Sequence, residues 1–228
     1  MSRKVFTAGE VLAAADVNNF LMNQSIMSFA GTASREASIP TPVEGMYTHL
    51  EDTDRLQFWD GSSWDNTLGL SLINDTTFTA QSTVSINDVF SSKFDNYKVV
   101  ITTDLTTGTQ SFLLRYRVAG ADNTNATYTY QILDASSTSI TGSRVVGATS
   151  HGIGTISAGS PNASEITIYN PNRAERTLYQ SNGLGSGSNA YIRKDSGTFT
   201  ATTQFTGFTI FPASSTITGR VQVYGMRK

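Results

Sequence analysis

Ser111-Phe-Leu-Leu-Arg-Tyr-Arg-Val118 is the stretch of sequence that decides the fold class. Within it, every second position is apolar, at Phe112, Leu114, Tyr116 and Val118, and two arginines stand between them. A two-residue period places alternate side chains on opposite faces of a strand. One buried face and one wet face are typical of antiparallel sheets, so this stretch predicts an antiparallel β-protein.

Six further short stretches with the composition of β-strands are separated by clusters of turn residues. They are Tyr97–Thr103, Thr127–Leu133, Glu165–Tyr169, Thr177–Gln180, Phe205–Phe211 and Thr216–Tyr224. Short strands at such regular spacing favour an all-β sandwich or barrel. No stretch with helical periodicity separates them, which disfavours a parallel α/β sheet. We therefore predict that residues 69–228 form an antiparallel β-sandwich, jelly-roll-like in its architecture.

Residues 1–35 carry the one helical pattern in the chain. Thr7 and Glu10 have the spacing of a capping box. The residues that follow have the alternating three- and four-residue spacing of a coiled-coil seam, namely Leu12, Ala15, Asn19, Met22, Ile26 and Phe29. Asn19 falls on an a-type position, where a buried Asn fixes register and oligomer state. The pattern predicts a helical assembly or attachment segment, with Leu12, Asn19, Met22, Ile26 and Phe29 as candidate oligomerisation residues. An amphipathic helix that packs on its own domain remains the alternative.

Residues 36–68 are predicted to be a linker followed by a small β-hairpin unit. Irregular structure is expected over residues 31–42, where glycine, serines and Pro40 and Pro42 break helices and strands. Farther on, alternating residues flank turns at 52–54 and 60–61. Trp59 and Trp64 flank the second turn, which indicates a compact unit with a mainly aromatic core.

Composition excludes several classes of function. The formal net charge of the 228 residues is −2, which offers no basic excess for nucleic acid. There are no cysteines, so disulfides and thiolate metal sites are excluded. No apolar run is long enough to insert in a membrane, and Glu10 and Asp16 interrupt any apolar region that could serve a signal peptide. We therefore expect the protein to be made and kept in the cytoplasm, or to leave it by a route that needs no signal.

Three stretches of the chain resemble parts of known proteins. Phe6-Thr-Ala-Gly-Glu-Val-Leu-Ala-Ala-Ala-Asp-Val-Asn-Asn-Phe-Leu-Met-Asn-Gln24 is similar to the N-terminal segment of phage minor tail and short tail-fibre proteins. Gly45-Met-Tyr-Thr-His-Leu-Glu-Asp-Thr-Asp-Arg-Leu-Gln-Phe-Trp-Asp-Gly-Ser-Ser-Trp64 looks like the hairpin unit that follows it in those proteins. Ser215-Thr-Ile-Thr-Gly-Arg-Val-Gln-Val-Tyr-Gly-Met-Arg227 is similar to the last strand of small fibre heads.

The resemblance implies a structural protein of the virion, assembled in the host cytoplasm. It further implies a homotrimer whose N-terminus contacts other virion proteins and whose head adheres to the host surface, where a glycan is the expected partner. A capsid fibre or decoration protein without a receptor role is the alternative, and a small glycan depolymerase is a third hypothesis.

No catalytic or metal site is predicted, and no cofactor is expected. Neither His49 nor His151 stands in a metal-ligand spacing, and both are interpreted as polar surface residues. The sequence clusters Asp52, Asp54, Asp60 and Asp65, which could offer a calcium loop or a glycosidase pair. Asp residues in turns more often bond their own backbone, and this is the interpretation we favour.

A glycine-rich run and a set of aromatic and polar residues are the remaining candidates for ligand binding. The glycine-rich run 183–187 lacks the Lys-Ser/Thr and the helix of a phosphate loop, and it is predicted to be a flexible loop. Glycan recognition could use the aromatic and polar residues Tyr128, Tyr130, Tyr191 and Arg193, which are the candidate receptor contacts. The alternative is that these tyrosine rings are buried in the core or at a trimer interface, with their hydroxyls bonded.

Overall fold

The computed structural model describes residues 8–11, 13–17, 25–67, 69–105, 107–136, 138–185 and 191–226. The chain divides into two compact units, Met1–Gly69 and Leu70–Lys228. The described residues are mainly β-strand, arranged in largely antiparallel sheets, as the sequence predicts for the chain as a whole. Among the described residues, no helix is both long and apolar enough to cross a lipid bilayer.

The first unit is a four-stranded sheet with two short helices. Its elements are α1 (Ala14–Asp16), β1 (Met27–Phe29), α2 (Thr32–Ser38), β2 (Tyr47–Leu50), β3 (Arg55–Trp59) and β4 (Trp64–Asn66). The strands lie in sequence order. β1 pairs parallel with β2, whereas β2–β3 and β3–β4 are antiparallel.

The structure corrects the helical prediction at its end. Phe29 is assigned to the helical seam by its spacing, but it lies in β1 opposite Leu50. Ile26 precedes β1 outside any helix and is mostly exposed. Leu12, Asn19 and Met22 lie outside the described residues, so the seam up to Met22 stays a prediction.

A second correction concerns the predicted linker at residues 31–42. Thr32–Ser38 forms α2, and its Arg35 is buried. The Arg35 guanidinium lies 4.6 Å from the centroid of the Trp64 ring and donates to Gln57 Oε1. Burial lowers the pKa of Arg35 below its ordinary value. The contacts of Arg35 with Trp64 and Gln57 anchor the helix on the sheet. The glycine, serines and prolines of this stretch predict irregular structure because they give no sign of these contacts.

The predicted strands of the hairpin unit are present, and the predicted alternation is seen along β2 but not along β3. Met46, Thr48 and Leu50 are buried, whereas the intervening Tyr47 is exposed and His49 is half-buried. The Trp59 and Trp64 rings meet edge to face with their centroids 5.5 Å apart. Both tryptophans are only half-buried, and the buried apolar residues of this unit are Met46 and Leu50, so the prediction of a mainly aromatic core is wrong for the described residues.

The described part of the second unit contains thirteen strands in two sheets. They are β5 (Leu70–Gln81), β6 (Val84–Ile86), β7 (Asn96–Leu105), β8 (Thr109–Val118), β9 (Ala121–Asp122), β10 (Tyr128–Ser136), β11 (Ser139–Ala148), β12 (His151–Ser157), β13 (Asn162–Tyr169), β14 (Leu178–Gly185), β15 (Tyr191–Phe199), β16 (Gly207–Pro212) and β17 (Ile217–Met226). All seven predicted strands are present. The eight-stranded sheet has the order β11-β10-β15-β14-β13-β7-β17-β5. The other has the order β12-β8-β16-β6, with β9 paired to β8.

One hydrophobic core joins the two sheets of this unit. Phe112, Leu114 and Tyr116 of β8 contribute to it from the smaller sheet, and Val221 and Val223 of β17 contribute from the larger. Inward and outward residues alternate along both strands, which confirms the pattern in the sequence except at Val118, which is 37% exposed at the end of β8. Each sheet therefore has an inner face on the core and an outer face turned away from it.

The glycine-rich run is a strand where the structure describes it. Gly183 lies in β14 between Ser164 of β13 and Arg193 of β15. A Cβ added at Gly183 would come within 2.8 Å of the Gly154 Cα on β12. Glycine is thus needed here for close approach of two sheets, not for a flexible loop.

Candidate functional site

An apolar stripe crosses the outer face of the eight-stranded sheet. Ala135 of β10 lies opposite Ile140 of β11 on one side and Ile192 of β15 on the other, and Ile192 lies opposite Leu184 of β14. Paired residues on adjacent strands share a face. We define the apolar stripe as these four residues together with Leu133, which is two residues from Ala135 on the same strand face.

The large side chains of the stripe are unusually exposed. Ile140 is 74% exposed, Leu184 53%, Ile192 51% and Leu133 50%. Single exposed aliphatic residues are common, but a contiguous set across four strands marks an interaction surface. The stripe is therefore the strongest candidate for a contact with another protein.

The stripe reaches an open edge of the sheet. β11 is the first strand in the sheet order, and within the described residues its one strand neighbour is β10. Nearly all of its residues are exposed, including Val146 at 65%. Proteins usually protect edge strands with charges, prolines or covering segments. Arg144 is the one charged residue of β11, so this edge is only weakly protected.

Directly behind the stripe, the inner face carries a buried ion pair. Arg193, 7% exposed, and Asp195, 0% exposed, alternate on β15 with the outward Ile192 and Lys194. Arg193 donates through Nε to Asp195 Oδ2 at 2.9 Å and through Nη2 to Oδ1 at 2.8 Å. Burial lowers the pKa of Arg193, but the hydrogen bonds and charge of Asp195 outweigh this and raise it. The bidentate geometry keeps the pair charged.

The buried position of Arg193 corrects its interpretation as a receptor contact. The two tyrosines Tyr128 and Tyr130 are buried as well. The Tyr128 hydroxyl donates to the Asn123 carbonyl at 2.8 Å and accepts from the Tyr116 backbone N–H at 3.1 Å. The alternative stated for the tyrosines, burial in the core with a bonded hydroxyl, describes Tyr128. Tyr191 begins β15, and its side chain is outside the described part of the structure.

His151 is also buried rather than on the surface. Its ring lies in an aromatic cluster, 4.0 Å from the Tyr179 centroid and 4.8 Å from that of Tyr128. Neither ring nitrogen has a hydrogen-bond partner. Burial lowers the pKa of His151 to about 3, so the ring is neutral at ordinary pH. It acts as a packing group within the core.

The clustered aspartates have different partners, and Asp60 serves a local turn. Asp60 Oδ1 accepts from the backbone N–H groups of Ser62 at 2.9 Å and Ser63 at 2.7 Å. Asp54 Oδ1 lies 3.0 Å from His49 Nε2. Across the described residues, no group of three His, Asp or Glu side chains is arranged to hold a metal ion. The turn interpretation of Asp60 is confirmed.

Of the residues of the apolar stripe, Leu133 alone falls in a strand that the sequence predicts. Ile140 and Ile192 lie on β11 and β15, which have no clear apolar alternation. Leu184 lies in the glycine-rich run 183–187, which the sequence predicts to be a loop. A signal was nevertheless present, since isoleucine and valine at 140, 145, 146 and 192 favour strands.

Comparison with known proteins gives little further information. The sequence matches no protein-family model and no curated protein. One similar solved structure is a β-fructofuranosidase from Schwanniomyces occidentalis complexed with fructosyl-erythritol, at 8% identity and a TM-score of 0.20. That similarity covers 80% of this chain and 39% of the other chain. A TM-score this low carries no argument about fold or activity.

Proposed function

We propose that the chain is a structural, non-enzymatic protein of a tailed-phage virion, and specifically a homotrimeric short tail-fibre subunit that adheres to the host surface. Two observations support this proposal. The first is the resemblance of residues 6–24, 45–64 and 215–227 to parts of such proteins. The second is the apolar stripe, which is the single observation that carries the proposal, because a self-associating subunit requires an apolar surface of this kind.

The architecture we propose for the second unit is a jelly-roll-like β-sandwich. The chain moves between the two sheets repeatedly, for example from β7 to β8 and from β15 through β16 to β17. Such crossing between layers is expected of two packed antiparallel sheets with non-local connections. In this arrangement the smaller sheet covers the inner face of the larger, and the outer face is left for a partner.

The occupant that we propose for the apolar stripe is a second copy of the chain. The stripe itself is uncharged, and the charged side chains beside it on this face are Lys194, opposite Leu133, and Arg144 on β11, so a second copy would have to leave both at the solvated rim of the contact. Covering each of its large, half-exposed aliphatic side chains is worth about 1 kcal/mol. Association costs about 4–15 kcal/mol, so the stripe alone would give weak self-association.

A second contact is therefore needed for a stable trimer. We propose that the N-terminal segment provides it, with Leu12, Asn19 and Met22 in its seam. Two weak contacts on one chain reinforce each other because the second forms at high effective concentration. The same logic would let three heads bind a host surface more tightly than one.

The mass of the full chain in solution tests this proposal. Native mass spectrometry at micromolar concentration should give a trimer. Ile192→Asp places a charge in the centre of the stripe and should raise the concentration needed for assembly by at least about tenfold. Thr77→Asp is the matched control, because Thr77 is exposed, lies opposite Arg220 and is five strands from β15 in the sheet order.

The control should assemble like the parent chain. A parent chain that is monomeric at micromolar concentration would contradict the trimer. If both aspartate variants weakened assembly equally, the interface would not lie on the stripe.

The depolymerase hypothesis receives no support from the aspartates that motivated it. Asp60 is engaged by two backbone N–H groups, and Asp54 is next to His49. A glycosidase needs one carboxyl free to protonate and another facing it across the scissile bond. A carboxylate that holds a turn in place, as that of Asp60 does, is poorly suited to either role.

A further inference from the structure

A shallow cleft lies on the outer face of the eight-stranded sheet, away from the apolar stripe. Its volume is about 560 Å³, and the lining residues on the outer face include Asn96, Tyr169, Asn170, Leu178, Gln180 and Ser196. Small-molecule sites commonly have volumes of about 300–1,000 Å³. Leu178 and Leu184 are six residues apart on β14, so the cleft and the stripe are separated by about 20 Å at the rise of a strand.

Strand register explains how the lining residues come together. Tyr169 of β13 lies opposite Asn96 of β7 and Leu178 of β14, which makes one row across three strands. In the adjacent row, Gln180 of β14 lies opposite Ser196 of β15. These side chains project from regular strands, whose positions are held by the ladders on both sides. The site is therefore largely formed before any ligand arrives.

A loop held firmly in place closes one end of the cleft. Asn170 follows β13 with a positive φ of 56°, and its backbone N–H donates to the Asp95 carbonyl at 2.8 Å. Arg173 in the same loop pairs with Asp95 at 2.8 Å. Asn172 Nδ2 donates to the Phe205 carbonyl at 2.8 Å. A rim with this many anchors costs little entropy to order when a ligand binds.

The chemistry of the lining selects a class of ligand. Amide side chains both donate and accept hydrogen bonds, as sugar hydroxyls do, and the cleft offers three amides and the Ser196 hydroxyl. Tyr169 and Leu178 add apolar surface that can cover the C–H face of a sugar ring. No side chain in the lining is charged. Lys98 on the same face is paired with Glu165 at 2.8 Å, so an anionic group would find little to compensate it.

We propose that this cleft binds a neutral oligosaccharide. The proposal deepens the proposed function, on which it rests for its biological role, by placing host-surface adhesion in the cleft. An open site of this depth should bind weakly, with a Kd on the order of 1 mM. Because the cleft lies apart from the stripe, three clefts would stay open in a trimer and avidity would strengthen attachment by about 10²–10⁴-fold.

The experiment is a titration of the full chain, observed by backbone amide NMR. The probes are neutral di- and trisaccharides of glucose, galactose, mannose and N-acetylglucosamine, with sialylated and sulfated sugars as anionic counterparts. At least one neutral sugar should shift the amide signals of Gln180 and Ser196 with a Kd on the order of 1 mM. Tyr169→Ala should weaken binding about tenfold, and Gln180→Ala about fivefold through loss of a hydrogen bond.

Tyr47→Ala is the matched control, because Tyr47 is 43% exposed and belongs to the first unit. It should bind like the parent chain. The Gln180→Ala variant carries the test if Tyr169→Ala does not fold. The cleft assignment fails if no neutral sugar binds at about 10 mM, or if both cleft variants bind as well as the parent.

Failure of the trimer would be seen separately. The Ile192→Asp variant should bind the small sugars with unchanged affinity and lose only avidity for a sugar-coated surface. Sugar binding by a chain that is monomeric would keep the cleft and reject the trimer. A trimer that binds none of the neutral sugars would keep the trimer and reject the cleft assignment.

Discussion

The two faces of the eight-stranded sheet belong to the same strands but are built on opposite chemistry. On β15, the inner face holds Arg193 and Asp195, whereas the outer face holds Ile192 and Lys194. The inner face thus buries an ion pair while an isoleucine on the outer face remains half exposed. Burial in this region follows the available partners rather than the polarity of each residue, because a paired and hydrogen-bonded charge can be buried whereas an unpaired one cannot.

Breaking the inner ion pair is the strongest test of this comparison. Asp195→Ala should lower the free energy of unfolding by about 3 kcal/mol, since it leaves the Arg193 guanidinium buried without its bidentate partner. Asp134 lies opposite Arg193 in the register of β10 and β15, which places the effect at the low end of the usual range. Urea denaturation followed by circular dichroism measures the loss.

The double variant Arg193→Met/Asp195→Leu is the control for this loss. It removes both charges and fills similar volume, so most of the stability should return. If the double variant were as unstable as Asp195→Ala, packing rather than an unpaired charge would explain the single variant.

Acid provides a second test, centred on His151, which lies on β12 of the smaller sheet and packs against Tyr179 on the inner face of the larger one. The pKa of His151 is about 3 in the folded chain and about 6.5 when exposed. The unfolded chain therefore binds a proton below about pH 6.5 that the folded chain takes up only near pH 3. As the pH falls below about 6.5, the free energy of unfolding should therefore decrease by about 1.4 kcal/mol per pH unit, or by about 2.7 kcal/mol at pH 4.5.

Replacement of each histidine in turn isolates this contribution. His151→Phe keeps a ring in the aromatic cluster and should remove the loss between pH 6.5 and 4.5. His49→Gln leaves His151 in place and should retain it. Thermal unfolding of each variant across this pH range measures the change in stability. If stability fell with pH as steeply in His151→Phe as in the parent chain, this would count against a neutral buried ring.

The sequence predicts those strands whose polarity agrees with their burial. On β8, Phe112, Leu114 and Tyr116 face the core and arginines face outward, so the period of two is visible. On β15 the pattern is inverted, because Arg193 and Asp195 satisfy each other inside. A pairing between side chains on one strand face cannot be seen as hydrophobic alternation, so this strand was missed.

The candidate sites show the same dependence on tertiary partners. Tyr128 and Arg193 have the residue types of receptor contacts, but hydrogen bonds to Asn123 and Asp195 allow them to be buried. The cleft depends on strand neighbours that are far apart in sequence, such as Asn96 and Tyr169. Register between distant strands is set by the whole sheet, so no local pattern could bring these residues together.

The smallest expected effect concerns an ion pair on the outer face. Lys98 Nζ lies 2.8 Å from Glu165 Oε1, and both side chains are partly exposed, at 32% and 49%. Water screens such a pair and ordering two long side chains costs entropy, so Glu165→Gln should lower stability by no more than about 0.5 kcal/mol. The difference should shrink further in about 1 M salt, where the Debye length is about 3 Å. Urea midpoints at low and high salt measure it, with Lys98→Gln completing a double-mutant cycle. A loss as large as that of Asp195→Ala would mean that the outer face is covered in solution, because only a desolvated pair can contribute so much.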